Sequence, residues 1–211
     1  MRRLREKLIN MTNSKEKNLQ YYKDNAKSFV ECTINADMSE ARNKFISYLS
    51  VRALILDWGC GSGRDSLAFK EAGYQIEATD ASEELCQLAS EKLGQEVRCE
   101  IFDELDAKEE YDGIWACASL LHLEKDYIPE TFEIACKALK SGGVMYASFK
   151  YGDFEGERNG RYFTDMTEER FAKLIKRVKH LDVVEQWITS DVRPDRGEEK
   201  WLNIILRKMT I

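Results

Sequence analysis

The chain has few histidines and prolines, two of each in 211 residues. Its six cysteines are scattered and form no C-x-x-C pair. Structural zinc sites use closely spaced cysteines and histidines, so we expect no metal here. Scattered thiols without a disulfide framework are typical of a reducing compartment, which predicts a cytoplasmic protein.

Long apolar runs and an excess of positive charge are also missing. No run approaches the length of a membrane-spanning helix, and no cleavage-site pattern follows the basic opening. We therefore expect no signal peptide and no membrane contact, and we interpret residues 1–14 as a flexible basic tail. The net charge of −6 disfavours an extended contact with nucleic-acid phosphates, so nucleic acid is not an expected partner.

The most informative segment that is present runs from Leu54 to Asp65, with the sequence LILDWGCGSGRD. Its glycines occupy every second position: Gly59, Gly61 and Gly63. An apolar stretch, a glycine-rich turn and a helical pattern predict the first strand, loop and helix of a nucleotide-binding α/β sheet. A dinucleotide fingerprint would need glycine at position 64, where this chain has Arg64.

A second strand pattern, residues 75–79, ends in Asp80. A carboxylate at this strand tip can accept hydrogen bonds from both hydroxyls of a ribose. The alternative places Asp80 in the N-terminal cap region of a helix that begins near Ser82. The two roles are compatible, and we favour a ligand contact.

Helical and strand patterns alternate along the rest of the chain. Strands are predicted at 53–57, 75–79, 97–102, 113–118, 144–150, 183–189 and 201–207; helices are predicted at 15–30, 39–49, 65–72, 83–93, 128–139 and 168–179. Helices between strands require parallel pairing. The last two strands have no helix between them, so we expect them to pair as an antiparallel hairpin.

These motifs resemble those of class I S-adenosylmethionine-dependent methyltransferases. The resemblance rests on D-x-G-x-G-x-G at 57–63, the acid at 80, the segment Tyr111–His122 and the turn Leu139–Gly143. Residues 61–67 together with Gly73-Tyr74 also look like the small tellurite-resistance-type subgroup. The resemblance to the superfamily implies a single doubly wound, Rossmann-like α/β domain over 15–211, with N-terminal lid helices at 15–50 and a core sheet at 51–211. The implied sheet has seven mostly parallel strands in the order 3-2-1-4-5-7-6, with helices on both faces.

The same resemblance implies a methyltransferase that uses S-adenosyl-L-methionine and releases S-adenosyl-L-homocysteine. A chain this compact suits a small-molecule acceptor, anionic or aromatic, methylated by direct in-line displacement. The alternatives are a tRNA or protein methyltransferase, and a non-catalytic module that binds S-adenosylmethionine. We expect a monomer or a weak homodimer.

The residues that the resemblance assigns to the cofactor come from the glycine loop and the strand tips. They are Tyr22, Asp57, Gly59, Cys60, Gly61, Arg64, Asp80, Ala81, Phe102, Asp103 and Ala118. Phe102 would flank the adenine ring, and either Asp103 or Glu104 would accept from its amine. Tyr22 lies on a lid-like helix, where core packing is the alternative role.

The acceptor site is predicted from two features of the second half. His122 follows the fourth strand, where a neutral imidazole can accept a proton from the acceptor, although a structural histidine is an equal alternative. Two segments, 151–165 and 191–201, mix arginines with aromatic residues. Arg158, Arg161 and Arg193 are the expected ligands for an anionic acceptor; the alternative is a solvated face of Arg–Glu pairs.

Overall fold

A seven-stranded sheet forms the centre of the computed structural model, which describes residues 2–194 and 196–210, and only the backbone of residues 2–13. The spatial order is β3-β2-β1-β4-β5-β9-β8. Its strands are β1 (Leu54–Trp58), β2 (Gln75–Asp80), β3 (Arg98–Cys99), β4 (Tyr111–Ala116), β5 (Leu139–Lys150), β8 (Leu181–Ser190) and β9 (Lys200–Lys208). A separate hairpin joins β6 (Glu155–Arg158) to β7 (Arg161–Thr164).

Six helices are described around the sheet. They are α1 (Arg2–Thr33), α2 (Ser39–Ile46), α3 (Arg64–Glu71), α4 (Glu83–Leu93), α5 (Ile128–Ala138) and α6 (Glu168–Ile175). None of these helices is long and apolar enough to cross a lipid bilayer.

The two faces of the sheet bury different neighbours, because successive side chains of a strand point in opposite directions. On one face, Ile55 and Trp115 pack with Phe45 of α2 and Phe69 of α3. On the other face lies a larger cluster, which includes Leu56, Ile114, Phe132 of α5 and Phe171 of α6. Both faces are therefore covered by helices, which is the arrangement of a doubly wound fold.

The predicted topology is confirmed. Strands β1 to β5 pair in parallel, and β9 runs antiparallel to both β5 and β8. The last two strands of the predicted order, 6 and 7, are β8 and β9, because the hairpin β6–β7 takes two numbers in chain order. The switch in strand order falls between β1 and β4, where ligands bind in this class of sheet.

The hairpin β6–β7 lies where the sequence predicts neither a strand nor a helix, between residues 150 and 168. Its strands have four residues each, and they are joined by Asn159 and Gly160 with φ values of 52° and 75°. An Asn-Gly pair with two positive φ angles is typical of a tight hairpin turn. The Asn-Gly dipeptide was therefore the available signal.

The sequence predicts a flexible tail at residues 1–14. The structure instead has one continuous helix, α1, from Arg2 to Thr33. This helix contains no glycine or proline, and 14 of its 32 residues are lysine, arginine, glutamate or leucine, which favour helices. The helix predicted at 15–30 is therefore the second half of a longer one. The third strand is also shorter than predicted, since the chain turns at Phe102–Glu104.

Candidate functional site

A cavity of about 760 Å³ lies at the carboxyl ends of β1, β2, β4 and β5, beneath α1. Its volume is within the usual range for small-molecule sites. All the residues that sequence analysis proposed for the site line this cavity, except Glu104, the alternative to Asp103. Their individual roles remain predictions, and the contacts below show what each side chain does in the protein.

The loop after β1 needs glycine for two separate reasons. Gly59 has a φ of 85°, and a Cβ built on it would lie 2.5 Å from Cβ of Ser119. Gly61 has a φ of 54°, and a Cβ there would lie 3.1 Å from Cε1 of Phe29 on α1. The loop is thus wedged between the β4 end of the sheet and the helix above it. Because these positions are glycine, the loop backbone borders the cavity without a side chain in between.

Asp57, in β1, connects the two elements on either side of this loop. Its carboxylate is buried and accepts a hydrogen bond from Oγ of Ser66 at 2.5 Å. Burial raises the pKa of Asp57 to about 7, and the neighbouring Asp65 adds to the rise. Asp57 borders the cavity, but its hydrogen bond joins β1 to α3.

Arg64 is held by the residue that follows it. Its guanidinium makes a two-pronged contact with Asp65, with Nε–Oδ1 3.0 Å and Nη2–Oδ2 2.6 Å. Nη1 of Arg42 and Nε1 of Trp115 also donate to Asp65, at 2.6 and 3.0 Å. Burial alone would raise the pKa of Asp65, but Arg64 and Arg42 hold it below its ordinary value. Arg64 also donates to the carbonyl of Thr33 at 3.2 Å, which ties the end of α1 to the loop.

Asp80 stands at the tip of β2 with both oxygens anchored by backbone amides. Oδ2 accepts from the Gly61 amide at 2.9 Å, and Oδ1 accepts from the Ser82 amide at 3.0 Å. Ser82 itself caps α4, so the two predicted roles coexist. Burial raises the pKa of Asp80. Each oxygen keeps accepting capacity on the side that faces the cavity.

A second acidic group lies beside Asp80 and was not predicted. The Glu100 amide donates to the carbonyl of Asp80 at 2.9 Å, and Glu100 lines the cavity. Its Oε1 is buried and has no hydrogen-bond partner among the described residues. A buried acceptor without a partner is expensive, so this atom indicates a missing donor.

Another part of the cavity lining is aromatic and acidic. Phe102 lines it and makes an edge-to-face contact with Trp58, with ring centroids 4.9 Å apart. Asp103 also faces the cavity and pairs with Lys15 of α1 at 3.5 Å. Glu104 instead accepts from the Ile101 amide at 3.1 Å, away from the cavity lining.

Helix α1 closes the cavity through one buried amide side chain. Nδ2 of Asn18 donates to the carbonyl of His122 at 3.1 Å, and Oδ1 accepts from the Tyr162 amide at 2.7 Å. One turn further on, Tyr22 faces the cavity and packs edge-to-face on Phe29, with centroids 5.1 Å apart. Asn18 was missed because only its helical spacing from Tyr22 marks it.

His122 has both ring nitrogens engaged. Nδ1 lies 2.8 Å from the carbonyl oxygen of Tyr162, and Nε2 lies 2.7 Å from the hydroxyl of Tyr22. A carbonyl only accepts, so Nδ1 carries the proton and Nε2 accepts from Tyr22. Burial lowers the pKa of His122 to about 4, helped by the nearby charges of Arg161 and Arg158. The imidazole is therefore neutral near pH 7.

The three predicted arginines differ in their partners. Arg158 makes a two-pronged pair with Asp165 at 2.8 and 2.5 Å. Arg193 does the same with Asp191 at 2.9 and 2.5 Å. Arg161 has no carboxylate partner among the described side chains, and its buried Nε has no hydrogen-bond acceptor there.

Arg161 is instead held by aromatic rings. Its guanidinium lies 4.4 Å from the ring centre of Tyr21 and 5.0 Å from that of Phe163. Its Nη1 donates to the hydroxyl of Tyr22 at 3.2 Å. The cavity thus contains one cation whose charge is not compensated by a described carboxylate.

A family model for a methyltransferase domain matches residues 55–143, from β1 into β5. The Bacillus subtilis (strain 168) protein YqeM, which carries the name of a methyltransferase, is 30% identical over 117 residues. That match spans 50% of this chain and 47% of YqeM, so about half of that relative is covered. An uncharacterized methyltransferase of Staphylococcus carnosus (strain TM300) is 23% identical over 154 residues, covering 66% of this chain and 74% of that protein.

Solved structures share the fold over nearly the whole chain. The Burkholderia thailandensis 1,6-didemethyltoxoflavin-N1-methyltransferase has a TM-score of 0.72 and 25% identity, covering 90% of this chain and 85% of its own. The magnesium protoporphyrin IX methyltransferase of Synechocystis PCC 6803 has a TM-score of 0.70 at 15% identity, covering 92% of this chain and 97% of its own. The second likeness concerns the fold alone.

Proposed function

This chain belongs to the class I S-adenosylmethionine-dependent methyltransferase superfamily, and we propose that it methylates a small, anionic, planar acceptor. The observation that carries the proposal is one cavity lined by two chemically distinct groups of residues, which we call its two ends. The first consists of the glycine loop with the carboxylates of Asp80 and Glu100. The second consists of Arg161 and the aromatic rings around it.

The residues at the first end fit S-adenosylmethionine. Asp80 offers acceptors for the two ribose hydroxyls, and the unpartnered Oε1 of Glu100 offers one more. Phe102 can lie against the adenine, with Asp103 near its amine. When bound, the cofactor supplies an electrophilic methyl group on its sulfonium. The chain's own residues hold and orient it, since methyl transfer depends strongly on alignment.

The second end fits an acceptor with a negative charge and a flat ring. A guanidinium binds carboxylate or phosphate through paired hydrogen bonds, and aromatic neighbours stack on planar groups. The structure of the Burkholderia relative is described with bound 1,6-didemethyltoxoflavin and S-adenosylhomocysteine. A small acceptor bound together with the cofactor product supports a small acceptor for this chain.

Helix α1 covers the cavity, and His122, which contacts Tyr22 beside Arg161, can supply proton chemistry. Asn18 fixes the helix over the cavity, so a bound pair of reactants would be shielded from bulk solvent. His122 is neutral and can accept a proton as the acceptor becomes methylated. Ala118 and Gly59 keep the floor of the cavity free of bulky side chains.

Two assays on the wild-type protein test this proposal. Calorimetric titration with S-adenosylhomocysteine should show one site per chain. Release of S-adenosylhomocysteine should then be followed with S-adenosylmethionine and a panel of carboxylated phenols and N-heteroaromatics. Binding without turnover on any acceptor class would favour a cofactor-binding module, and no binding at all would overturn the proposal.

A further inference from the structure

We propose that Tyr22 and His122 form a proton relay, in which the Tyr22 hydroxyl takes the acceptor's proton and passes its own to Nε2 of His122. The relay rests on the proposed methyltransferase function and names the class of acceptor it serves. That acceptor carries a hydrogen on the attacking atom, as a hydroxyl or a ring N–H does. Tyr22 is the group that touches the acceptor, and His122 acts through it.

The direction of the relay follows from the hydrogen bonds. Nδ1 of His122 must donate to the Tyr162 carbonyl, so the ring has one free lone pair, on Nε2. The Tyr22 hydroxyl covers that lone pair at 2.7 Å. His122 therefore reaches a reacting molecule only through the Tyr22 oxygen. Burial raises the pKa of Tyr22, so its hydroxyl retains a proton to pass on.

Arg161 supports the transfer through a second hydrogen bond to the Tyr22 hydroxyl. Its Nη1 donates to the Tyr22 oxygen at 3.2 Å, where it stabilises the negative charge that develops while the proton moves. The charges of Arg161 and Arg158 lower the pKa of His122. Asp80 and Tyr21 raise the pKa of Tyr22 by their electrostatic interaction with it. An anionic acceptor paired with Arg161 would offset the positive charge that disfavours an imidazolium at His122.

The step balances as follows. The acceptor's X–H bond breaks, a bond forms between X and the methyl carbon, and the carbon–sulfur bond of the cofactor breaks. The proton goes to the Tyr22 oxygen as the Tyr22 proton goes to Nε2, which leaves a neutral tyrosine and an imidazolium. The imidazolium returns its proton to water after product release. An acceptor that is already a thiolate has no proton to give and gains nothing from the relay.

Nitrogen NMR of the ring tests the arrangement without any acceptor. The chain has two histidines, so in the His180→Gln variant the only histidine ring signals are those of His122. We expect Nδ1 to be protonated and Nε2 to be an unprotonated, hydrogen-bonded nitrogen. Tyr22→Phe, which keeps the ring packing, should shift Nε2 and leave Nδ1 in place. A proton on Nε2, or an Nε2 signal unchanged by Tyr22→Phe, would overturn the relay.

Kinetics test the relay in the proposed reaction. With carboxylated phenol or N–H acceptors, Tyr22→Phe and His122→Gln should each lower kcat about 100-fold, the lower end of the range for acid–base catalysis. Affinity for S-adenosylhomocysteine should stay unchanged, because phenylalanine keeps the ring through which Tyr22 would contact the cofactor, and His180→Gln should have no effect. With a carboxylated thiol above its pKa, the same variants should change kcat less than about threefold.

The outcomes separate the two proposals. Equal losses with thiol and phenol acceptors, or a loss of cofactor affinity with kcat intact, would show that Tyr22 is a lid contact only. Wild-type protein that binds no S-adenosylhomocysteine would overturn the proposed function instead. If the wild type binds cofactor but methylates none of the panel, the NMR result decides whether the relay arrangement exists.

Discussion

The carboxylate of Asp80 connects the two motifs that identified the fold. Its hydrogen bond with the Gly61 amide joins the tip of β2 to the glycine loop after β1. The geometry that positions it for a ribose is therefore built by the backbone of the loop itself.

Replacing Asp80 with alanine should weaken binding of S-adenosylhomocysteine by about 1–3 kcal/mol, the usual loss for a charged hydrogen-bond acceptor. Calorimetry measures the change directly. Asp106→Ala is the matched control, because the Asp106 side chain is 93% exposed. Equal affinities for wild type and Asp80→Ala would remove Asp80 from the cofactor site.

The three arginines should separate by what each substitution breaks. Arg161→Ala should raise KM for a carboxylated acceptor while the melting temperature and cofactor affinity stay near wild type. Arg158→Ala should instead lower stability by roughly 1–3 kcal/mol, since it leaves the buried Asp165 carboxylate without its hydrogen-bond donors. Thermal unfolding and steady-state kinetics on the two variants give the comparison. A raised KM for Arg158→Ala with unchanged stability would contradict this division.

His122 also makes a prediction about pH. Its pKa is about 4 in the folded protein, below the ordinary 6.5, so the unfolded chain binds its proton more readily. The contribution of His122 to stability should therefore rise with pH between about 4 and 6.5. The difference in unfolding free energy between wild type and His122→Gln should shift in favour of wild type by on the order of 2 kcal/mol from pH 4.5 to 7.

Urea unfolding at the two pH values measures this shift. Asp57 titrates in the same range with the opposite sign, because its pKa is raised, but it is present in both proteins and cancels. A difference that is independent of pH would mean that His122 is not buried as a neutral ring.

Among the elements, α1 is the one that completes the cavity. Phe29 lies against Gly61, Tyr22 against His122, and Asn18 bridges to the backbone of β7. The helix is thus attached by the polar contacts of Asn18 and Tyr22, and near its C-terminus by the ring of Phe29 and the hydrogen bond from Arg64 to the Thr33 carbonyl. Removal of the polar contacts should loosen the helix without dismantling the sheet.

We expect Asn18→Ala to speed hydrogen exchange of amides in residues 15–33 and to weaken binding of S-adenosylhomocysteine. The loss should be about 1–3 kcal/mol, because two backbone groups lose their partner. Lys27→Ala is the control, since Lys27 is exposed on the same helix. Exchange in α1 that is the same in both variants would argue that the helix is not held through Asn18.

Sequence analysis succeeded where a pattern has one structural solution. Alternating glycines after an apolar run, and helices between strands, leave little choice of topology, and the predicted order of the sheet is confirmed. The hairpin β6–β7 was missed because its strands are short and only Asn159-Gly160 marks the turn. The start of α1 was not predicted, because a basic segment at a chain terminus is typical of a solvated tail. The absence of glycine and proline was the available signal for a helix.

For the whole molecule, the candidate site could be predicted as a set of residues but not as a set of contacts. The fold brings the strand tips together, so Asp80, His122 and the arginine segments had to meet near one edge. Which arginine lacks a carboxylate partner depends on Asp165 and Asp191, and those pairings leave no trace in the sequence. Glu100 was missed for the same reason, because its unpartnered oxygen is visible only in three dimensions.

A crystal structure of the wild-type protein with S-adenosylhomocysteine is the most direct test of the account. It should show the ribose hydroxyls on the carboxylate of Asp80, the sugar over Gly61, and the sulfur directed toward Tyr22 and Arg161. Density for the nucleoside elsewhere on the protein, or an Asp80 carboxylate turned away from it, would contradict the account.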